Sequence, residues 1–138
     1  MIKKTIAFTD YDGNQREEDH YFHLNKAELT EMQLEIDGGL TGMIERIIQK
    51  KSGPDIIKTF KMLIVRSYGV KSPDGRKFMK SKEIVEDFLQ TEAYNNFFME
   101  LVTDAQKAAE FLNEILPSDM QQSHDEIAEM AKTATDVN

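Results

Sequence analysis

Apolar and polar residues alternate at the start of the chain. Ile2, Lys4, Ile6 and Phe8 fall on one side of an extended segment and Lys3, Thr5, Ala7 and Thr9 on the other. Tyr11-Asp12-Gly13-Asn14 is a turn signal, and the run from Gln15 ends in the apolar pair Phe22 and Leu24. Together these predict a β-hairpin, and parity selects its register. A two-residue Asp12-Gly13 loop pairs Phe8 with Glu17 and sends Phe22 and Leu24 to the face opposite Ile6 and Phe8. A three-residue loop, Asp12-Gly13-Asn14, pairs Phe8 with Glu18 and Ile2 with Leu24, and all the apolar side chains then share one face. One buried face is the less costly arrangement, so the odd loop is expected, with Gly13 or Asn14 at positive φ.

Beyond Leu24 the period becomes helical. Asn25 is placed as an N-cap with Glu28 reaching back to complete a capping box. Leu29, Met32 and Ile36 form the inner stripe of that helix, and Asp37-Gly38-Gly39 ends it. A second helix is expected over about Leu40–Lys51, with Leu40, Met43, Ile44, Ile47 and Ile48 inward. Ser52-Gly53-Pro54 breaks the chain. Ile56, Ile57, Phe60, Leu63, Ile64 and Tyr68 then predict a third helix, closed by Gly69 as a left-handed cap. Ser72-Pro73-Asp74-Gly75 reads as a tight turn, after which Phe78 and Met79 return to the core. Ser81 is placed to cap a helix carrying Ile84, Val85, Phe88 and Leu89, and Thr91 one carrying Tyr94, Phe97, Phe98 and Leu101. Thr103 or Asp104 opens the last helix, with Ala105, Ala108, Phe111, Leu112 and Ile115 inward and Pro117 at its end. Thr91 permits a break between Phe88 and Tyr94 without demanding one. The fold class is α+β: an N-terminal β-hairpin followed by about five or six short α-helices, mainly helical.

Phe88–Leu101 is the richest apolar stretch. Phe88, Tyr94, Phe97 and Phe98 are four of the chain's 4 Tyr and 8 Phe, more aromatic mass than one packed helix face requires. Phe88 and Leu101 are expected in the core. Residues 1–117 form one domain. Residues 118–138 contain no aromatic residue and few large aliphatics, which predicts a polar, mobile tail.

Composition narrows the chemistry. At 138 residues a single core is long enough to fold without disulfides or metal, and there are no cysteines for a disulfide framework, a thiolate zinc site or a thiol nucleophile. No apolar run suits a signal peptide or membrane span, so an intracellular, soluble protein is expected. The net charge of −8 is unevenly spread. Residues 1–45 hold 4 basic and 10 acidic side chains, residues 46–82 hold 11 and 2, and residues 83–138 hold 2 and 13. Such a pattern fits faces that fold back on one another, subunits meeting positive to negative, or a nucleic-acid footprint. The last is disfavoured because the basic residues are scattered and acidic segments flank them.

His20 and His23 have metal-ligand spacing only on a helix; on a strand they point to opposite faces, and ordinary surface histidines are expected. Asp10, Asp12, Glu17, Glu18 and Asp19 lack the order of a calcium loop, and no phosphate-binding glycine loop or nucleophile elbow is present. No enzyme, no metal and no cofactor is expected.

Three segments carry a resemblance: FHLNKAELTEMQLEIDGGLTG at Phe22–Gly42, SYGVKSPDGRKFMKS at Ser67–Ser81, and FLQTEAYNNFFMELVTDAQKAAEFLNEILP at Phe88–Pro117. In this order they resemble the tail assembly chaperones of long-tailed, siphovirus-type bacteriophages of Gram-positive hosts, over about Lys3–Pro117. The resemblance implies a non-enzymatic role. Such a protein binds the long, helical tape measure protein in the host cell cytoplasm, keeps it soluble, and gives way as tail tube subunits polymerise. It is absent from the mature virion. The resemblance also implies homo-oligomers and, in many phages, a longer form made by frameshifting that contacts the tube protein. No nucleic acid and no membrane are implied. An apolar surface for a helical partner is expected at Tyr94, Phe97, Phe98 and Leu101, which a sister subunit would also fit, and a methionine-rich surface suits varied partners. The alternatives are a structural head–tail connector or tail subunit of the virion, and a small regulatory DNA-binding domain.

Overall fold

The computed structural model of the chain describes residues 1–36 and 53–117, together with 38, 39, 42, 45 and 49. Most of the helix expected over Leu40–Lys51, and all of the expected tail, lie outside the described residues. In chain order the elements are β1 (Ile2–Thr9), β2 (Gln15–Phe22), α1 (Lys26–Glu35), α2 (Gly53–Ser67), β3 (Tyr68–Lys71), β4 (Phe78–Met79), α3 (Lys82–Leu89), α4 (Glu92–Thr103) and α5 (Ala105–Glu114). The fold is α+β, as the periodicity predicts. The four strands form one antiparallel sheet in the order β1-β2-β3-β4.

The hairpin has the expected parity and a different register. Phe8 faces Arg16 and Ile2 faces Phe22, two residues away from the expected pairing, around a five-residue loop, Asp10–Asn14. The longer loop wins because the Asp10 carboxylate organises it, accepting the N–H groups of Asp12 and Asn14 at 2.9 Å and the Arg16 guanidinium. These bonds, Arg16 first, hold the Asp10 carboxyl below its ordinary range. Gly13 sits at φ +85°, where a Cβ is strained. A shift by two preserves the facing of every side chain, so Ile6, Phe8, Phe22 and Leu24 are all buried.

The helix starts follow the sequence closely. Asn25 and Glu28 form the capping box of α1, Ser81 caps α3, Thr91 caps α4 and Asp104 caps α5. Each cap supplies an oxygen to N–H groups that have no partner inside the helix, a contribution of about 1 kcal/mol apiece. Thr91 does more: its hydroxyl donates to the Phe88 carbonyl at 2.7 Å while accepting from the Tyr94 N–H at 3.2 Å. One side chain therefore closes α3 and opens α4, and the Phe88–Leu101 stretch is two helices.

The third predicted helix is corrected at its end. It stops at Ser67, and Tyr68 begins β3, pairing with Phe22 while Gly69 pairs with Tyr21. Gly69 is not a left-handed cap. It is needed for space: a Cβ there would lie 2.6 Å from the Phe78 ring and 2.9 Å from the Met79 carbonyl oxygen. The turn at Ser72–Gly75 forms as expected, with Gly75 at φ +72° and its N–H on the Ser72 carbonyl at 2.9 Å. It joins β3 to β4. Phe78 is half-buried, whereas Met79, expected inward, is exposed.

Candidate functional site

α4 is the hub of the helical layer, touching β1, α2, α3 and α5. Its sequence explains why. Ala93, Phe97 and Leu101 make one fully buried stripe along the helix. Phe97 lies 5.1 Å from the Phe22 ring and 5.0 Å from Phe111, which itself meets Phe22 edge to face at 5.3 Å. Phe22, wholly buried, is thus surrounded by rings from β3, α3, α4 and α5. Burial of each such ring contributes about 2–3 kcal/mol, and the edge-on geometry adds to it.

A second stripe lies one residue along: Tyr94, Phe98 and Val102 are only half-buried, packed against the core from outside. The Tyr94 and Phe98 rings are 5.7 Å apart, and Tyr94 meets Phe88 at 5.8 Å. Partial burial raises the Tyr94 phenol above its ordinary pKa. Met99 follows, 54% exposed. Of the four residues predicted as a docking surface, Phe97 and Leu101 are therefore interior, and Tyr94 and Phe98 keep accessible surface. Phe88 and Leu101 are in the core, as expected.

A groove of about 510 Å³ runs between α3 and the end of α2. Val65, Val85 and Leu89 supply its apolar lining, and Arg66, Lys82 and Glu86 its charged border. At its base is a polar knot that periodicity does not reveal. The Lys80 ammonium contacts both Glu28 carboxylate oxygens at 2.8 and 2.7 Å, the His23 carbonyl at 2.7 Å and the Arg66 carbonyl at 2.7 Å. Glu28 is the same residue that completes the α1 capping box. One lysine thus ties together the ends of β2 and α2, the first turn of α1 and the residue after β4. The only sequence hint is Glu28 at N3, whose carboxylate has lone pairs left after capping.

The two histidines face opposite ways, as expected, but neither is fully exposed. His20 is half-buried; its ring stands 4.7 Å from Phe88, with Nδ1 3.0 Å from the Tyr68 hydroxyl and Nε2 3.2 Å from Glu18. Inward facing follows from its strand parity with Phe22. His23 faces the other way, against Phe78, and its Nδ1 is buried without a hydrogen-bond partner among the described residues. Burial first, and then the positive charges of the N-terminus and Lys80, lower its pKa.

The uneven charge is partly used within the chain. Arg66 pairs with Glu35 at 2.6 Å and Lys80 with Glu28 at 2.7 Å, so part of the basic middle folds back onto the acidic N-terminal third. Lys71 instead covers the Tyr21 ring at 4.6 Å.

A family model described as phage tail assembly chaperone matches the chain over residues 1–138, including the tail that the sequence resemblance leaves uncovered. No curated protein and no solved structure gives a match. With the match spanning its full length, the chain belongs to the phage tail assembly chaperone family.

Proposed function

We propose that the protein binds the tape measure protein of a siphovirus-type phage of a Gram-positive host and keeps it soluble until tail tube subunits assemble around it. In this reading it acts without catalysis, in the host cell cytoplasm, as a self-associating chaperone that leaves before the virion is complete. A frameshifted longer form would bring in the tube protein.

The observation that carries the reading is the second stripe of α4. Tyr94 and Phe98 remain half-exposed beside a core that is already filled, with Met99 next to them. Helical clients dock through apolar residues spaced three and four apart, and a facing pair one turn apart matches that spacing. The charged border of the nearby groove would discourage non-specific collapse. Weak individual contacts suit the role, because many copies along one extended client bind it with avidity and still come away.

Co-expression of the Phe98→Asp variant with the tape measure protein tests the reading. The variant should keep the wild-type circular dichroism spectrum and lose at least three-quarters of the soluble client. A folded variant that still keeps the client soluble removes α4 as the docking surface. Mass spectrometry of purified virions gives a separate test: the protein at stoichiometric abundance would favour a head–tail connector and overturn the chaperone reading.

A further inference from the structure

β1 is an edge strand, and the alternation of its hydrogen bonds shows which groups are left over. The Asp10 N–H donates to the Asn14 carbonyl at 2.9 Å, and the His23 N–H donates to the Ser67 carbonyl at 2.8 Å. Given the pairing of Phe8 with Arg16 and Ile2 with Phe22, the even residues of β1 direct their backbone groups towards β2. The odd residues, Lys3, Thr5, Ala7 and Thr9, direct theirs outwards. Their side chains are exposed as well. Among these outward groups the Ala7 carbonyl takes the Asn96 side-chain amide at 3.2 Å, confirming its direction. Four outward N–H groups and three carbonyls have no partner among the described residues. An eight-residue edge left in this state is a template for another strand.

We propose that a second copy of this chain occupies the edge, its β1 antiparallel to the first about a twofold axis at Ile6. This deepens the self-association proposed above and rests on it for biological meaning. The pattern of the strand selects the occupant. Lys3 and Lys4 lie at one end and Asp10 and Asp12 at the other, so an antiparallel copy brings the basic end of each strand to the acidic end of the other, whereas a parallel copy stacks like on like. Within one copy Glu114 lies 3.9 Å from Lys4, and Arg16 engages Asp10. In this register Lys3 faces Thr9 of the second copy and Thr5 faces its Ala7, all four directing backbone groups at each other. Ile6 faces its own counterpart on the inner side and joins the two buried faces. The Ala7 carbonyl exchanges Asn96 for a backbone N–H. The interface is isologous and closes at two, so it forms a unit that further, weaker contacts can multiply.

Proline at an outward position separates this interface from folding. Ala7→Pro removes an N–H that β2 does not use and leaves the Phe8–Arg16 and Ile6–Glu18 pairs in place. Sedimentation equilibrium of the full chain, without any tape measure protein, should show a wild-type dimer. Ala7→Pro should weaken it at least tenfold with its melting temperature within a few degrees of wild type, and Lys3→Glu should weaken it severalfold. Amide hydrogen exchange on the wild type reads the same edge without mutation. Protection at Lys3, Thr5, Ala7 and Thr9 should rise with protein concentration, while Lys4, Ile6 and Phe8 stay protected throughout. The proposal is overturned by unchanged dimerisation of folded Ala7→Pro, by concentration-independent exchange at the four outward amides, or by their protection only when tape measure protein is added. Its failure leaves the client-solubility test of Phe98→Asp unaffected.

Discussion

The two stripes of α4 are one residue apart in sequence and behave as different materials. Phe97 is 2% exposed and touches Phe22 and Phe111; Phe98 touches Tyr94 and keeps part of its ring at the surface. A helix turns about 100° per residue, so neighbouring aromatics cannot both face one core. The first completes the interior, and the second has nothing left to complete. Under the proposed function, a residual apolar stripe next to a filled core separates adhesion from stability, and variants can test that separation.

The largest expected effect is on the inner stripe. Phe97→Ala leaves a cavity against two rings and should cost about 3–5 kcal/mol in urea unfolding, against about 1 kcal/mol for Phe98→Ala, whose ring the core half-covers. Equal losses would mean that Phe98 is core and the contrast is false. Next is Lys80→Met, which keeps the stem and deletes the ammonium. It strands two carbonyls and the Glu28 carboxylate at a partly buried site and should cost about 2–3 kcal/mol by thermal melting. Because the Lys80 ammonium bonds to Glu28, His23 and Arg66 and not to α4, the variant should leave client solubility at the wild-type level, sharpening the division between what holds the fold and the proposed docking surface.

Thr91→Ala should cost about 1 kcal/mol as a lost N-cap. It loosens the α3–α4 junction beneath both stripes, so it should shift stability and client binding together, unlike Phe97→Ala or Phe98→Asp. The smallest effect is with pH. Burial lowers the His23 pKa from its ordinary value of 6.5, so folding favours the neutral ring. The unfolded chain then binds more protons between the folded value and 6.5. The stabilisation from neutral His23 is fully present above 6.5 and is lost as pH falls through the folded value. Replacing His23 by Gln should flatten the fall in melting temperature over that window. An unchanged slope would show that His23 is not its source; Asp10 does not contribute there, because its lowered pKa places its own loss at more acidic pH.

Much of the fold was legible in the chain itself. The caps at Asn25, Ser81, Thr91 and Asp104 were readable because a cap is a local bond between residues two or three apart. The facing of Ile6, Phe8, Phe22 and Leu24 was readable because strand parity survives a shift of two. The register itself was not, since a carboxylate at Asp10 set the loop length. Gly69 and Tyr68 were misassigned for a related reason. A glycine after a helical run is consistent with a cap and with a strand under an aromatic ring, and only the distant Phe78 distinguishes them.

The candidate site divides along the same line. That Phe88–Leu101 carries more rings than one face needs was determined by the sequence, as a consequence of helical period and side-chain size. Which rings remain over was decided by tertiary structure: Phe22, Phe111 and α5 fill one side of α4 before the other, and contacts between residues so far apart leave no local trace. The Lys80 knot and the outward edge of β1 belong to the same category. Period and capping are set by neighbours in the chain, whereas burial, a shared charge and a free strand edge are set by what the folded chain brings alongside.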